Sequence, residues 1–259
     1  MPWLDANGTD IYYHEGGRGR PLVLLHGMSS CGEAWFQQFE AFRDRFRVIA
    51  YDSVNHGHSA NSPRGEPEPD RVDELEAVLA ALDIDRPILA GNSMGAMTVL
   101  RWAARHPDDA AALVPSGMGV PPAGERLRAP AEPLADETIF LPFGDSLTER
   151  LREERPLMYD RYFRIRSTAT RIEALRHPRQ ATAADPTREQ LGDVIGAVTR
   201  PMLIVVGGVD RLRPWAEHLH QLVPGSRLEV VDGAPHNVYW EAAEEYNVAV
   251  LAFLNEVLS

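Results

Sequence analysis

Six short apolar runs set the limits on what this chain can fold into. Residues 21–27 (PLVLLHG), 47–52 (RVIAYD), 87–93 (PILAGNS), 111–117 (AALVPSG), 201–208 (PMLIVVGG) and 226–233 (SRLEVVDG) are short and apolar, and each ends at Gly, Asp or Ser. Unbroken apolar runs of this length read as strands buried on both faces, as in a parallel sheet covered by helices. Apolar residues at spacings of three and four predict helices over Arg71 to Leu82, Met94 to Arg105, Trp215 to Leu222 and His236 to Leu258, the second closed by His106-Pro107. This alternation predicts an α/β fold: a doubly wound, mostly parallel sheet with helices on both faces. Before it, WLDANGTDIYYHEGG places Asn7-Gly8 between two runs of strand formers, which predicts an N-terminal antiparallel hairpin. Chemistry in such sheets gathers at the C-terminal ends of the strands, where these Gly, Asp and Ser residues fall.

One interval breaks the rhythm, between the strand ending at Gly117 and the one starting at Pro201. A structureless loop of that length is improbable in a compact domain. Residues 146–175 have helical composition interrupted by Pro156. The expected organisation is therefore a core of residues 1–118 and 200–259 carrying a helical cap insertion at 119–199, lying over the strand ends as a lid.

Composition narrows the partners. The 259 residues, 44% of them hydrophobic, suit one large core, and 26 basic against 38 acidic residues give a net charge of −12. A nucleic-acid backbone would be repelled. Every basic residue is arginine, to which no function is assigned. A single cysteine, Cys31, excludes an intrachain disulfide and a thiolate metal cluster and is read as a small packed residue. The N-terminus lacks the charged and apolar regions of a signal peptide, and no apolar run approaches the roughly 18 residues that span a bilayer. A cytoplasmic protein, monomeric or homodimeric, with a small-molecule substrate and no nucleic-acid or membrane partner is expected.

The chemistry starts at Gly91-Asn92-Ser93-Met94-Gly95, a G-x-S-x-G sequence lying between a predicted strand and a predicted amphipathic helix. On such a corner the serine hydroxyl is presented at the tip of the sheet, with small residues at 91 and 95 because larger ones would strike the neighbouring strand and helix. A helix N-cap serine is the ordinary alternative. A serine hydroxyl needs a base, and the base needs a group to orient it. Asp210 in VVGGVDRLRP and His236 in VVDGAPHNVYWE follow the next two strand ends, giving the chain order Ser93, Asp210, His236. Asp232, four residues before His236, is the rival acid, but a turn carboxylate at that position has a local explanation. A developing oxyanion requires preorganised N–H donors, expected from Met94 at the helix start and from Met28 in the HGMSS loop. His26 is expected to brace that loop. His218 and His220, two apart on a helix, have the wrong spacing for shared metal ligation, and neither metal nor cofactor is expected.

Taken together, LLHGMSS, YDSVNHGHS, GNSMGA, GGVDRLRP and GAPHNVYWE resemble the oxyanion loop, the D-x-x-G-H-G-x-S-like segment, the nucleophile elbow, the acid loop and the base loop of a capped, single-domain α/β-hydrolase. The resemblance covers nearly the whole chain apart from the lid. It departs at Asn55, where a glycine is usual, which leaves the shape of that loop open. It implies a serine hydrolase acting on a small carboxylic ester or lactone through an acyl-enzyme. A serine at the elbow excludes the branches that attack with aspartate. The GNSMG elbow is also similar to that of hydrolases cleaving C–C bonds of diketone-like ring-cleavage products, and some proteins of this fold are non-hydrolytic receptors, cofactor-free oxygenases or cyclases. In the lid, LMYDRYFRIRS suggests a pocket lined by Tyr159, Tyr162, Phe163 and Arg164 for an acidic or aromatic acyl group. The plainer expectation is a helix whose aromatics pack on the core while its arginines face outward.

Overall fold

The computed structural model describes residues 2–63, 69–122, 125, 146–169 and 186–259. Eight strands form one sheet in the order β1-β2-β4-β3-β5-β6-β7-β8. They are β1 (Trp3–Ala6), β2 (Thr9–Gly16), β3 (Arg20–Leu25), β4 (Phe46–Tyr51), β5 (Ile88–Asn92), β6 (Ala112–Ser116), β7 (Leu203–Gly207) and β8 (Arg227–Val231). β1 and β2 pair antiparallel, as do β2 and β4, and every later pairing is parallel. Asn7 and Gly8 both take positive φ, 54° and 82°, as a two-residue hairpin turn requires, and Asp5 Oδ1 accepts the Gly8 N–H at 2.6 Å.

Alternate side chains along the central strands enter two separate cores. On one face lie Val23, Leu25, Ile49, Tyr51, Leu89, Ile204 and Val206. The other face takes Leu22, Leu24, Val48, Ala50, Ile88, Ala90, Leu203 and Val205. The first is covered by helices α2 (Arg71–Ala81), α3 (Met94–Arg105) and α7 (Arg213–Leu222); the second by α1 (Phe36–Phe42) and α9 (Ala243–Val257). Double coverage is why these strands carry no polar alternation. β8 is the exception: at the sheet edge its side chains alternate between exposed and partly buried, so it is not the doubly buried strand its apolar run suggested.

The helices agree with the spacing in part. α3 has the expected bounds, and α2 starts at an Asp70 cap whose Oδ1 accepts the Val72 N–H at 2.7 Å. The sequence reading did not include the 3-10 turn Gly32–Trp35 or α1. The single helix expected over His236 to Leu258 is instead α8 (Val238–Glu241) and α9, broken at Ala242, with His236 and Asn237 in the loop ahead. Within 146–175, α4 (Glu149–Glu154) and α5 (Pro156–Ala169) are separated at Arg155, where Pro156 starts the second helix; residues 170–175 lie outside the described residues. A last helix, α6 (Pro186–Val194), precedes β7.

α5 lies across the C-terminal strand ends. At its middle Tyr162 packs edge-on against Trp240, and at its C-terminal end the Ala169 carbonyl accepts the Gly57 N–H at 3.0 Å. α4 begins on the Glu241 carboxylate, which accepts the Thr148 N–H at 2.8 Å and the Thr148 hydroxyl. The Thr148 hydroxyl in turn accepts the Leu151 N–H at 3.3 Å.

The two elbow glycines are places where strand and helix touch. A Cβ on Gly91 would sit 2.4 Å from the Gly95 carbonyl carbon, and one on Gly95 would sit 2.1 Å from the Leu25 carbonyl oxygen. Both obstacles are backbone. Gly95→Ala is expected to lower the unfolding free energy by about 3 kcal/mol, the upper range for overpacking a rigid core. Urea denaturation reads this directly, and an unchanged midpoint would mean that β3 and α3 can part without cost.

Candidate active site

Ser93 occupies the corner between β5 and α3 with φ 53° and ψ −109°. That backbone region costs of order 1–3 kcal/mol for a residue with a Cβ and persists only where the surroundings impose it. Here they do: the Ser93 N–H donates to the Ser116 carbonyl at 2.9 Å, and the Ser93 carbonyl accepts from Met97. A capping serine would use extended backbone and bond its hydroxyl to the helix, but the Ser93 side chain makes no such bond. From Pro87 to Leu100 every residue is buried except Ser93 and Met94, which are partly accessible. The corner therefore offers a hydroxyl rather than tying off a helix.

Asp210 lies just past β7, its side chain fully buried, with Oδ1 accepting the Leu212 N–H at 2.9 Å. The other oxygen, Oδ2, lies 2.9 Å from Nδ1 of His236, whose side chain is 15% exposed. With Asp210 ionised, Nδ1 carries the hydrogen and Nε2 keeps a lone pair able to take a proton. The two loops are pressed together at Gly207, where a Cβ would meet the Ala234 and Pro235 carbonyl oxygens at 2.2 and 2.3 Å. Asp232 is exposed, and the carboxylate beside His236 is that of Asp210.

Gly117 joins this pair to the elbow. It follows Ser116, takes φ 59°, and a Cβ there would stand 3.3 Å from His236 Cε1 and 3.0 Å from Asn92 Oδ1. A hydrogen bond of 2.9 Å from Asn92 Nδ2 to Asn237 Oδ1 links the residue before Ser93 to the residue after His236.

The third wall is the loop after β3. A Cβ on Gly27 would lie 3.6 Å from the Ser93 Cβ, so the HGMSS backbone passes beside the serine. Met94 is the first residue of α3, so its N–H is among the donors a helix leaves unpaired at its start. His26 braces the loop: Nδ1–H donates to the Gly27 carbonyl at 2.8 Å, and Nε2 accepts the Ser53 N–H at 3.0 Å. Burial pushes its pKa below the ordinary imidazole value, which favours that neutral, two-partner state. Asp52 holds the next loop, accepting Gly32 N–H at 2.7 Å and His58 N–H at 2.8 Å. Asn55 takes φ 66°, the left-handed conformation a glycine would supply, with its Oδ1 accepting the Ser62 N–H at 2.8 Å. Cys31 is buried and its thiol is pushed up to about 12 by burial, so it is no nucleophile.

On α5, Tyr162 is buried and Tyr159 and Phe163 are half-buried, with Tyr159 and Phe163 ring centroids 4.7 Å apart. Arg164 is exposed. The arginine that faces inward is Arg166, one helical turn from Tyr162; its Nη1 donates to the Tyr162 hydroxyl and to the Met28 carbonyl, each at 3.3 Å. Arg161 stacks over Phe36, 3.7 Å from the ring centroid. Asn237, which the sequence reading did not single out, links the elbow to this helix: its Nδ2 donates to the Tyr162 hydroxyl at 2.8 Å and to the Ser146 carbonyl at 3.0 Å.

Three other histidines are engaged away from this pair: His106 contacts Glu76 and Asp109, His218 the Val120 carbonyl and His220 Ser226; His177 lies outside the described residues. Among the described residues no three His, Cys, Asp or Glu side chains group as metal ligands, and no helix is long and apolar enough to cross a membrane.

A model of the alpha/beta hydrolase family matches residues 22–249, and the chain belongs to that family. Its relatives have diverse names. It is 34% identical to the dihydrolipoyllysine-residue acetyltransferase component of the acetoin cleaving system of Pseudomonas putida, over 99% of this chain and 67% of that one. It is 28% identical to the non-heme haloperoxidase of Rhodococcus erythropolis, over 98% and 99% of the two chains. Among solved structures, the enol-lactonase of Burkholderia xenovorans superposes with a TM-score of 0.81 at 23% identity, covering 98% of this chain and all of that one. The last is a likeness of fold. The family model, matched over most of the chain, makes the protein a member of the α/β-hydrolase fold family.

Proposed function

We propose that the protein is a serine hydrolase of small carboxylic esters or lactones, with Ser93 as nucleophile, His236 as base and Asp210 as its orienting acid. The observation that carries this reading is the 2.9 Å bond from His236 to a fully buried Asp210, held beside an elbow whose serine is strained, accessible and free of a capping role. In the proposed cycle Ser93 Oγ attacks the carbonyl carbon as its proton passes to His236 Nε2. The N–H groups of Met28 and Met94 receive the oxyanion, and the imidazolium returns the proton to the departing alkoxide. Water then attacks the acyl-enzyme, with the same histidine as base. Residues 119–199 are read as the cap over this site.

The elbow asparagine that suggested C–C bond cleavage is occupied, since Asn92 accepts from Ser116 and donates to Asn237. It therefore gives that alternative little support. A panel comprising a p-nitrophenyl acetate series, small lactones and a vinylogous 1,5-diketone, run beside labelling by a serine-directed fluorophosphonate, tests the assignment. Labelling at Ser93 with ester or lactone turnover is the expected outcome. Cleavage of the diketone alone would move the protein to the C–C hydrolases, and failure to label or turn over any of the panel would leave a binding protein.

A further inference from the structure

Buried polar side chains around the strand ends form a continuous circuit: Ser116 Oγ to Asn92 Oδ1 at 3.2 Å, Asn92 Nδ2 to Asn237 Oδ1 at 2.9 Å, Asn237 Nδ2 to the Tyr162 hydroxyl at 2.8 Å, Arg166 Nη1 to the same hydroxyl and to the Met28 carbonyl. The amide orientations follow from the partners. Asn237 Nδ2 also donates to the Ser146 carbonyl, which can only accept, so its Oδ1 is the atom facing Asn92.

The Tyr162 hydroxyl then has a defined role by elimination. It accepts from an amide N–H and from a guanidinium, neither of which can accept in return, so its own hydrogen points elsewhere. None of the described residues accepts a hydrogen bond from it, although the residue is only 2% exposed. A buried O–H without an acceptor costs stability unless something else supplies one. Both groups that hold it also hold the proposed site: Asn237 follows His236, and Arg166 grips the carbonyl of Met28.

We propose that the Tyr162 hydroxyl is a specificity-determining donor to an acceptor oxygen on the acyl part of the substrate, aimed by Asn237 and polarised by Arg166. A hydroxyl that already accepts from a cation donates more strongly, so an anionic or strongly accepting oxygen, such as a second carboxylate, fits best. This deepens the ester or lactone reading and rests on it for the substrate's scissile bond. It does not rest on it for binding.

Two esters matched in acyl length test it: p-nitrophenyl butyrate and the p-nitrophenyl monoester of succinate, which carries a terminal carboxylate. The protein is expected to favour the succinyl ester in kcat/KM. Tyr162→Phe, which keeps the ring against Trp240, should lower the ratio of the two values roughly 10- to 100-fold, the scale of a charge-assisted hydrogen bond. Calorimetric binding of succinate against butyrate gives the same comparison without catalysis. If neither ester turns over but succinate binds better and Tyr162→Phe erases the difference, the hydrolase assignment falls and the donor stands. If Tyr162→Phe slows both esters equally, or leaves the ratio and the binding difference intact, Tyr162 merely positions Asn237 and Arg166, and the proposal is overturned.

Discussion

Ser93→Ala protein is expected to hydrolyse the best ester of the panel about a millionfold more slowly than the parent, the scale on which a serine hydrolase loses rate with its nucleophile. The figure is large because in the proposed triad base and acid act through the serine. With Oγ gone, the His236 imidazole has no hydroxyl to deprotonate, and only binding and the oxyanion donors are left, worth about 10³–10⁴ over water. Folding should survive. Ser93 makes no capping bond, and alanine places a Cβ in the same unusual backbone conformation that serine already tolerates. Single-turnover measurement on protein of unchanged melting temperature, with intact-mass detection of the fluorophosphonate adduct, reads both. Turnover within tenfold of the parent, or an adduct still forming, would remove Ser93 from the chemistry.

Asp210→Asn should cost about 10⁴ in kcat, with Asp232→Asn within twofold of the parent. An asparagine at 210 is nearly isosteric, but its amide can turn N–H toward His236 Nδ1. That favours the tautomer with its hydrogen on Nε2, where the proton from serine must be received. The Leu212 N–H, which Asp210 Oδ1 now accepts, holds the amide oxygen and leaves the NH₂ facing the imidazole. Asp232 is exposed at the end of β8, and its substitution removes nothing from the pair. Equal losses in the two variants would assign the acid differently.

The sheet was legible because double burial writes itself as unbroken apolar runs, and α3 because Ser93 and His106-Pro107 punctuate it. α1 was legible too and was missed: Trp35, Phe36, Phe39 and Phe42 recur at spacings of three and four. The inward arginine could likewise have been found. Tyr162, Ile165, Arg166 and Ala169 stand at i, i+3, i+4 and i+7, and all four are buried, whereas Arg164 sits on another face. Other features had no local signature. The break at Ala242 interrupts a run of good helix formers, and what accompanies it is tertiary, the Glu241 carboxylate being committed to Thr148. Asn237 has its role through residues 92, 146 and 162, and no spacing within its own segment points to them.

Asn55 shows what kind of instruction such a loop carries. The fold asks there for a torsion of one sign, and asparagine supplies it almost as well as glycine while adding an amide that fastens Ser62. A motif spelled in letters is thus a shorthand for handedness. Sequences that differ in the letter but agree in the torsion would build the same loop, and searches keyed to the glycine alone would pass them by.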